Sequence, residues 1–380
     1  LTEKLKAIVS EYVKTCESKL GVIGANSIVQ HSKTILNVTI GPFSKIRGAS
    51  HLEEGTLSGN QSAPVTIGED VSARNFIVLS GSKIKSGTIL SSTFIGQGVE
   101  TGKQFSAENS AFFANCEGFH GEVCSVFAGP YTVTHHKSTL LIAGLFSFYN
   151  AGSGTNQSNH MYKLGPIHQG FVERGSKTGS FSYMLWPCRV GAFSVIMDKH
   201  AGNFDTAELP FSYISVENGK SVLTPAMNLF TVGTARDNKK WPSRDRRKDP
   251  KKLDQIHFDF LNPFTAGKMM DGVNLLNRLH ENTPKSREFA SYNGIHIKRL
   301  MLRTSKRYYE LALMVFITGK LVDLLKNSSF NTIAEIQKIL SPAREAKLKK
   351  WVDLAGLLTE KERIDNFCDA IVSQRVNTIE

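Results

Sequence analysis

The sequence lacks any apolar run long enough to cross a membrane, and it lacks the cysteine spacing of zinc ribbons and disulfide frameworks. Its longest apolar stretch, Leu311 to Ile317, has seven residues, whereas a transmembrane helix needs about 20. The five cysteines are scattered, without a CxxC pair, as is typical of proteins in a reducing cytoplasm. We therefore predict a cytoplasmic protein without a membrane partner.

Acidic residues are also in the minority, with 34 Asp and Glu against 46 Lys and Arg, which gives a net charge of +12. Positive charge favours anionic partners such as phosphates, coenzyme A or nucleic acid. Much of the excess lies in residues 236–252, RDNKKWPSRDRRKDPKK. We interpret this run as a solvated loop, with a phosphate-gripping arm as the alternative. Trp241 is its only aromatic residue, and such a small stacking surface disfavours a nucleic-acid partner.

What the sequence does contain is a six-residue repeat between Val22 and Ile95. Val, Ile or Leu fills ten of the twelve positions in two registers, which are Val22, Ile28, Thr34, Ile40, Ile46, Leu52 and Val65, Val71, Ile77, Lys83, Ile89, Ile95. Such repeats are typical of a β-helix, in which one inward aliphatic residue fills each flat face and small residues turn the corners. A β-sandwich would show a period of two instead.

The pattern divides the chain into four predicted segments. Residues 1–20 form an amphipathic cap helix over the end of the β-helix, and residues 21–235 form the β-helix, with an inserted loop at 53–64. Residues 236–255 are a basic linker, and residues 256–380 form an α-helical domain. Its predicted helices are Ala266–Leu279, Ile297–Leu325, Thr332–Leu340, Pro342–Ala355 and Thr359–Ser373. Because the chain begins with Leu rather than Met, we expect it to be a piece of a longer protein.

Histidines concentrate in the later coils. Six of the eleven lie there, namely His120, His135, His136, His160, His168 and His200. Inward positions must be apolar, so these side chains are expected to face a groove or an interface. Three interpretations stay open: a histidine general base with Glu173 or Asp205 fixing its tautomer, several histidines holding a divalent metal, or hydrogen bonds that merely tie glycine-rich loops together. The aromatic patches at 146–149 and 181–183 are interpreted as core and corner packing rather than as a ligand site.

The repeats Ile23-Gly24, Ile40-Gly41, Ile67-Gly68 and Ile95-Gly96 resemble those of the left-handed β-helix, or hexapeptide-repeat, proteins. That superfamily is rich in acyltransferases and includes the gamma-type carbonic anhydrases. The resemblance implies a mainly β protein, a left-handed parallel β-helix that assembles as a trimer with sites in the clefts between subunits. It is specific for the fold and much less so for the activity. The histidine spacing departs from that of the carbonic anhydrases, and this departure favours a site for a thioester over a site for zinc.

Residues 132–153, 158–180, 209–214 and 232–247 are similar to an uncharacterised bacterial family with a domain of unknown function. This resemblance covers most of the chain. It implies a longer protein with further coils upstream, and it supplies no established activity.

Together these features lead us to expect acyl transfer from a coenzyme A thioester to a sugar or nucleotide-sugar. The expected base is His160 or His168, with His136 and Glu173 as further candidate catalytic residues. The candidates for binding the phosphates are Lys163, Arg174, Lys177, Asn156 and Asn159. The alternatives are a non-catalytic scaffold or sugar-nucleotide-binding protein, and a metal-dependent hydrolase or lyase. The expected partners are a small phosphate-bearing molecule and copies of the same chain in a homo-oligomer, with a trimer favoured.

Overall fold

The computed structural model describes residues 1–159, 168–341 and 348–379. Its body is a column of parallel coils. One ladder of paired residues runs through Lys83, Glu100 and Glu117. Lys83 and Glu100 are 17 apart in the chain, so that a coil here is one residue short of three hexapeptides. The chain is the mainly β, parallel β-helix, with an N-terminal helix and a C-terminal helical region, that the sequence predicts. Its left-handed twist stays an expectation from the hexapeptide resemblance.

The strands are short, as expected for a prism with narrow faces. Those of the first coils are β1 (Ile28–Gln30), β2 (Thr34–Ile40), β3 (Lys45–Arg47), β4 (His51–Ser58), β5 (Thr66–Ile67), β6 (Ser72–Leu79), β7 (Lys83–Ile84), β8 (Ile89–Ile95), β9 (Glu100–Gly102), β10 (Ser106–Glu108), β11 (Ala111–Phe112) and β12 (Glu117–Phe119). The later coils contain β13 (Glu122–Cys124), β14 (Phe127–Ala128), β15 (Val133–Thr134), β16 (Leu140–Ile142), β17 (Gly144–Phe146), β18 (Asn150–Ala151), β19 (Asn156–Ser158), β20 (Gly170–Val172), β21 (Lys177–Thr178), β22 (Tyr183–Leu185), β23 (Arg189–Val190), β24 (Val195–Ile196), β25 (Lys199–His200), β26 (Tyr213–Glu217) and β27 (Lys220–Thr224).

Corners of the prism are turned by residues in the left-handed backbone region. The first half of β8 pairs with β10 and its second half with β11, so this strand passes a corner. Ser92, at that corner, has a φ of 49°, and Asn75 and Asn109 hold the equivalent places in the neighbouring coils. Asparagine tolerates this conformation better than most residues, which explains why these corners need no glycine.

The core is the column of inward aliphatic and aromatic side chains. Ile46 and Leu52 are buried as predicted, but Ile77 and Ile89 are exposed. The buried residues in this part of the column come one position later, at Val78, Ile84 and Leu90. A strict step of six cannot hold from coil to coil, because register partners here are 17 apart rather than three full hexapeptides.

The predicted inserted loop at 53–64 is too long. Strand β4 continues to Ser58 and pairs with β6 along its whole length. Gly55, which suggested a loop, lies inside this strand, where a β-carbon would collide with the ring of Phe76 in the next coil. The glycine therefore reflects a close side-chain approach rather than a turn.

The N-terminal helix forms but does not cover the β-helix. Helix α1 (Thr2–Cys16) has no buried residue, and the apolar side chains of its stripe, such as Leu5 and Val9, are exposed. Val22 and Ile23 at the start of the first coil are exposed as well. The predicted capping role of this helix is therefore wrong for the described structure.

The C-terminal region combines helices with two hairpins. Its elements are α2 (Val232–Lys240), α3 (Pro263–Asn282), β28 (Phe289–Tyr292), β29 (Ile295–Lys298), α4 (Arg299–Lys326), α5 (Ile333–Leu340), β30 (Trp351–Leu354), β31 (Leu357–Glu360) and α6 (Lys361–Val372). The predicted helix Pro342–Ala355 is wrong over β30, which pairs with β31 as an antiparallel hairpin. Within the described ranges, no helix has the length and apolarity needed to cross a membrane.

The basic segment is not a solvated loop. After α2, residues 241–262, which we call the strap, run along one edge of the coils and bond to several of them. Contacts to the coils include Asn60 to Asp249, Gln97 to the Lys251 carbonyl, Asn115 to Asp245 and Tyr131 to the Trp241 carbonyl. The interpretation as solvated loop is wrong because the carboxylates and arginines of the strap find partners on the coils.

Candidate functional site

Two neighbouring coils bring a glutamate and a histidine together on the outer surface of the β-helix. In the strand register, Glu117 of β12 lies opposite Val133 of β15. Side chains alternate along a strand, so Glu117 and Val133 point outward, and His135 points to the same side as Val133. His135 Nε2 and Glu117 Oε2 are 2.5 Å apart. The stacking of coils thus builds a histidine–carboxylate pair from residues 18 apart in the chain.

Arg246 of the strap holds Glu117 from the other side. Its guanidinium pairs with Glu117 Oε1 and donates to the backbone carbonyls of Gly98 and Asn115, each at 2.8 Å. Burial on its own would raise the pKa of Glu117, but hydrogen bonds and charges from His135 and Arg246 outweigh it and lower that pKa below its usual value. Glu117 is therefore ionised at neutral pH and orients the His135 ring.

The pair forms part of an outward-facing groove of about 790 Å³, which we call the histidine groove. Its lining residues are Lys103, Glu117, Phe119, His120, His135, His136, Lys137, Ser138, Ser153 and Phe181. Lys103 Nζ lies 5.5 Å from the centre of the Phe119 ring, and Phe181 is 67% exposed. Phe181 has a φ of 60° and therefore lies at a corner, whereas Phe146, Phe148 and Tyr149 are buried in the core, so both placements agree with the prediction.

This arrangement suits proton transfer next to an anionic ligand. A histidine oriented by a carboxylate is the usual form of a general base. In the tautomer that donates Nε2–H to Glu117, the unprotonated nitrogen of His135 is Nδ1. The His135 side chain is 43% exposed, so a substrate can reach it. Lys103 and Lys137 provide charge for phosphate groups.

The structure distributes the predicted catalytic residues over different places. His160 lies outside the described residues. His136 lines the histidine groove, with its ring centre 6.4 Å from that of His135. His168 is half-buried, and its backbone N–H donates to the Asn159 carbonyl at 2.6 Å. Glu173 lies in a second cavity described below.

The predicted phosphate-binding residues are likewise not brought together. Lys163 lies outside the described residues, and Asn156 is exposed on β19. Lys177 Nζ pairs with the Asp237 carboxylate of α2, while Arg174 is completely buried. Lys177 is therefore committed to α2, and Arg174 is withdrawn from the outer surface on which Asn156 lies.

His200 is a structural histidine. It is completely buried, with Nε2 2.7 Å from the Met197 carbonyl and Nδ1 2.8 Å from Ser221 Oγ. Burial lowers its pKa, so the ring is neutral. This side chain fits the interpretation in which histidines tie loops together. In the part of the chain that the structure describes, no three His, Cys, Asp or Glu side chains are placed to hold a metal ion.

A second cavity, of about 1150 Å³, lies between the β-helix, α3, α4 and the β30–β31 hairpin. We call it the arginine cavity. Its charged walls include Glu173, Arg174, Lys268 and Asp353. Lys268 Nζ donates to Glu173 Oε1 at 2.8 Å, so Glu173 is paired with α3 rather than with a histidine. The predicted alternative partner of a histidine, Asp205, accepts instead from the Ala207 N–H at 2.9 Å.

Sequence reasoning missed Glu117 altogether and grouped His135 with the other histidines without selecting it. The two are 18 apart in the chain, whereas Glu117 and its register partner Val133 are two positions closer. A coil of three full hexapeptides would set His135 opposite Glu117 itself, so the spacing of 18 residues was a signal in the sequence that the two side chains lie close together. In the structure His135 lies beside Phe119, with ring centres 5.8 Å apart, and reaches Glu117 from there.

Among solved structures, the UDP-N-acetylglucosamine acyltransferases of Francisella novicida and Arabidopsis are similar to this chain, each at 12% identity. The Francisella novicida match covers 79% of this chain and 89% of that enzyme, with a TM-score of 0.30. The Arabidopsis match covers 84% and 91%, with a TM-score of 0.24. Scores this low add nothing to what the strand pairing already shows.

One relative by sequence is described as an uncharacterised protein. A protein of Treponema pallidum (strain Nichols) is 25% identical over 284 residues, which are 73% of this chain and 38% of that protein. This chain thus spans well under half of that relative's length. Residues 1–280 match the family described as a domain of unknown function, DUF4954. Because that match covers most of the chain, the protein belongs to the DUF4954 family.

Proposed function

We propose that the histidine groove transfers an acyl group from a coenzyme A thioester to a hydroxyl or amine of a sugar or nucleotide-sugar, with His135 as general base. The observation that carries the proposal is the chain of contacts from Arg246 through Glu117 to an exposed imidazole. Among the described side chains, no carboxylate pairs with His136 in this way. We therefore select His135 as the base, while the candidate His160 lies outside the described residues.

The proposed reaction is balanced within the groove. His135 Nδ1 takes the proton of the acceptor hydroxyl or amine as its oxygen or nitrogen attacks the thioester carbonyl carbon. The carbon–sulfur bond then breaks, and the coenzyme A thiolate leaves and takes the proton back from the imidazolium. Ionised Glu117 stabilises the imidazolium between these two steps.

The surroundings of the base fit phosphate-bearing substrates. Lys103 and Lys137 line the groove, and their ammonium groups are suited to the phosphates of coenzyme A or of a nucleotide. The exposed ring of Phe181 offers a flat surface on which a base or a sugar can stack. The superfamily resemblance adds the expectation of thioester chemistry.

The test is thiol release from acetyl-coenzyme A and from longer acyl-coenzyme A thioesters, each with and without nucleotide sugars. We expect release that depends on the acceptor, and a kcat lowered about 10²- to 10⁴-fold in His135→Gln. The exposed His31, in the first coil, is the matched control, and His31→Gln should retain wild-type turnover. Full turnover by His135→Gln would refute the assignment of the base.

The non-catalytic alternative gives a different result in the same samples. A nucleotide sugar at a hundred times its Kd raises the unfolding free energy by about 2.7 kcal/mol, which a thermal shift detects. A shift without any thiol release would favour a sugar-nucleotide-binding protein. We also propose that the protein forms a homo-oligomer, a trimer by the superfamily resemblance, and sedimentation analysis tests this. We further propose a cytoplasmic location, because the described cysteines are all unpaired, as is typical of a reducing compartment.

A further inference from the structure

The arginine cavity contains a buried cation whose hydrogen-bonding capacity is not used. Arg174 lines this cavity and is 0% exposed. Its Nη2 donates to the His257 carbonyl of the strap, and its guanidinium stacks 4.8 Å from the centre of the Phe148 ring. Among the described residues, neither Nε nor Nη1 has a hydrogen-bond acceptor. Leaving buried charged donors unpaired is costly, so this site is incomplete as it stands.

The nearest counter-charge does not complete it. Asp353, on β30, has its Oδ1 3.9 Å from Arg174 Nη1, which is beyond hydrogen-bond range. The same oxygen accepts from the Gly356 N–H at 2.7 Å, so it serves the turn of its own hairpin. Burial raises the pKa of Asp353, which further weakens it as a partner for the guanidinium.

Several other charged side chains of the cavity already have partners. Lys268 donates both to Glu173 and, at 2.6 Å, to the Ala207 carbonyl. Glu208 accepts from the Tyr292 hydroxyl at 2.8 Å. Among the buried wall residues that the structure describes, Arg174 is thus the cation with two nitrogens, Nε and Nη1, that have no hydrogen-bond acceptor.

The remaining lining indicates what kind of molecule would carry that acceptor. Apolar side chains cover much of the wall, among them Phe264, Leu313, Phe316 and Trp351. The first turn of α3, which begins at Pro263, also faces the cavity, and the partial positive charge of a helix N-terminus favours an anion. The cavity therefore combines a positively charged subsite that can bind an anion with an apolar chamber.

We propose that the arginine cavity binds an amphipathic anion, an apolar chain with a single carboxylate or phosphate head, and that the head bonds to Nε and Nη1 of Arg174 in the position now held by Asp353. The β30–β31 hairpin is then a cover that moves when the ligand enters, because it places Asp353 over the guanidinium. This site is separate from the histidine groove and does not depend on the proposed acyl transfer.

The experiment is a titration of the whole protein with decanoate, decyl phosphate, decanol and decyltrimethylammonium, all below their micelle concentrations. Trp351 lines the cavity, so its fluorescence reports binding. The variant Trp351→Phe shows how much of the fluorescence change comes from Trp351 rather than from the other two tryptophans. We expect saturable binding of one or both anions, at least tenfold tighter than that of decanol or the ammonium. The preferred anion identifies the head group as carboxylate or phosphate.

Two variants with opposite expected effects make the test decisive. Arg174→Gln should weaken anion binding roughly tenfold or more, and Asp353→Asn should tighten it by removing the competing carboxylate. Arg247→Gln is the matched control, because Arg247 is also buried but bonds to Asp245 within the strap, and it should leave the affinity unchanged. If Arg174→Gln does not fold, the anion affinity of Asp353→Asn still tests the proposal. Equal binding of anion and ammonium, unchanged affinity in Arg174→Gln, or no gain in Asp353→Asn would each overturn the proposal.

Discussion

Arg246 is expected to be the most consequential single residue of the strap. Its side chain donates to the carbonyls of Gly98, Asn115 and Cys116 and pairs with Glu117. A hydrogen bond from a charged donor contributes about 1.5–3 kcal/mol when buried. Arg246 and Glu117 are 27% and 24% exposed, so water replaces part of that loss. We therefore expect Arg246→Gln to lower the unfolding free energy by about 2–4 kcal/mol.

Urea unfolding followed by circular dichroism measures this change. The matched control is Arg244→Gln, two residues earlier, where the side chain is exposed and the expected change is within about 0.5 kcal/mol. A double-mutant cycle with Glu117→Gln separates the ion pair from the carbonyl contacts. If Arg246→Gln unfolds within about 0.5 kcal/mol of the wild type, the strap is not held in the way described. The same variant should also slow thiol release, because Glu117 loses the partner that keeps it in place beside His135.

Two further predictions test the core and a buried base. Ile46 is completely buried and Ile77 is 45% exposed, so Ile46→Ala should cost about 2–5 kcal/mol in urea unfolding and Ile77→Ala less than about 1 kcal/mol; equal losses would contradict the observed register. Because burial depresses the pKa of His200 from its ordinary 6.5, the unfolded chain binds the proton first. The contribution of this group to stability is therefore complete above pH 6.5 and is lost as the pH falls toward the lower folded-state pKa, by at most about 1.4 kcal/mol per pH unit. His200→Gln should flatten the fall in stability between pH 7.5 and 5, and an unchanged slope would show that another group titrates.

Local patterns in the sequence predicted much of the architecture. The aliphatic repeat identified the β-helix, because a prism core imposes its spacing on residues that lie close in the chain. Thr332 and Glu335 form a capping box, and their spacing of three residues is a local sequence signal for a helix start. The hairpin of β28 and β29 also had a local signal, since Asn293-Gly294 is a strong turn pair and both residues have positive φ. Helical periodicity on both sides of this turn pair predicts helices alone in the region, so the hairpin was not predicted.

The site was not predicted because the regular six-residue register was followed only as far as Ile95, although Glu117 and His135 are three hexapeptides apart. Coil length then decides how the two side chains meet. A coil that falls short of three full hexapeptides changes which side chain of one coil lies beside which side chain of the next. That offset sets Val133, not His135, opposite Glu117 and so leaves His135 free to reach the carboxylate from beside it. Arg174 shows a second limit: its partners come from the strap and from the β30–β31 hairpin, and no local pattern around residues 170–178 indicates that either segment covers it.

The strap also bears on the order in which the protein is completed during synthesis. Asp249 bonds to Asn60, which lies 189 residues earlier in the chain, and Trp241 bonds to Tyr131, 110 residues earlier. These coils leave the ribosome long before the segment that binds them. Contacts so distant in sequence form slowly, because a large loop must close first. The edge of the coils that binds the strap is therefore exposed to solvent until residues 241–262 have been synthesised. The position of Glu117 beside His135 is fixed only when Arg246 binds.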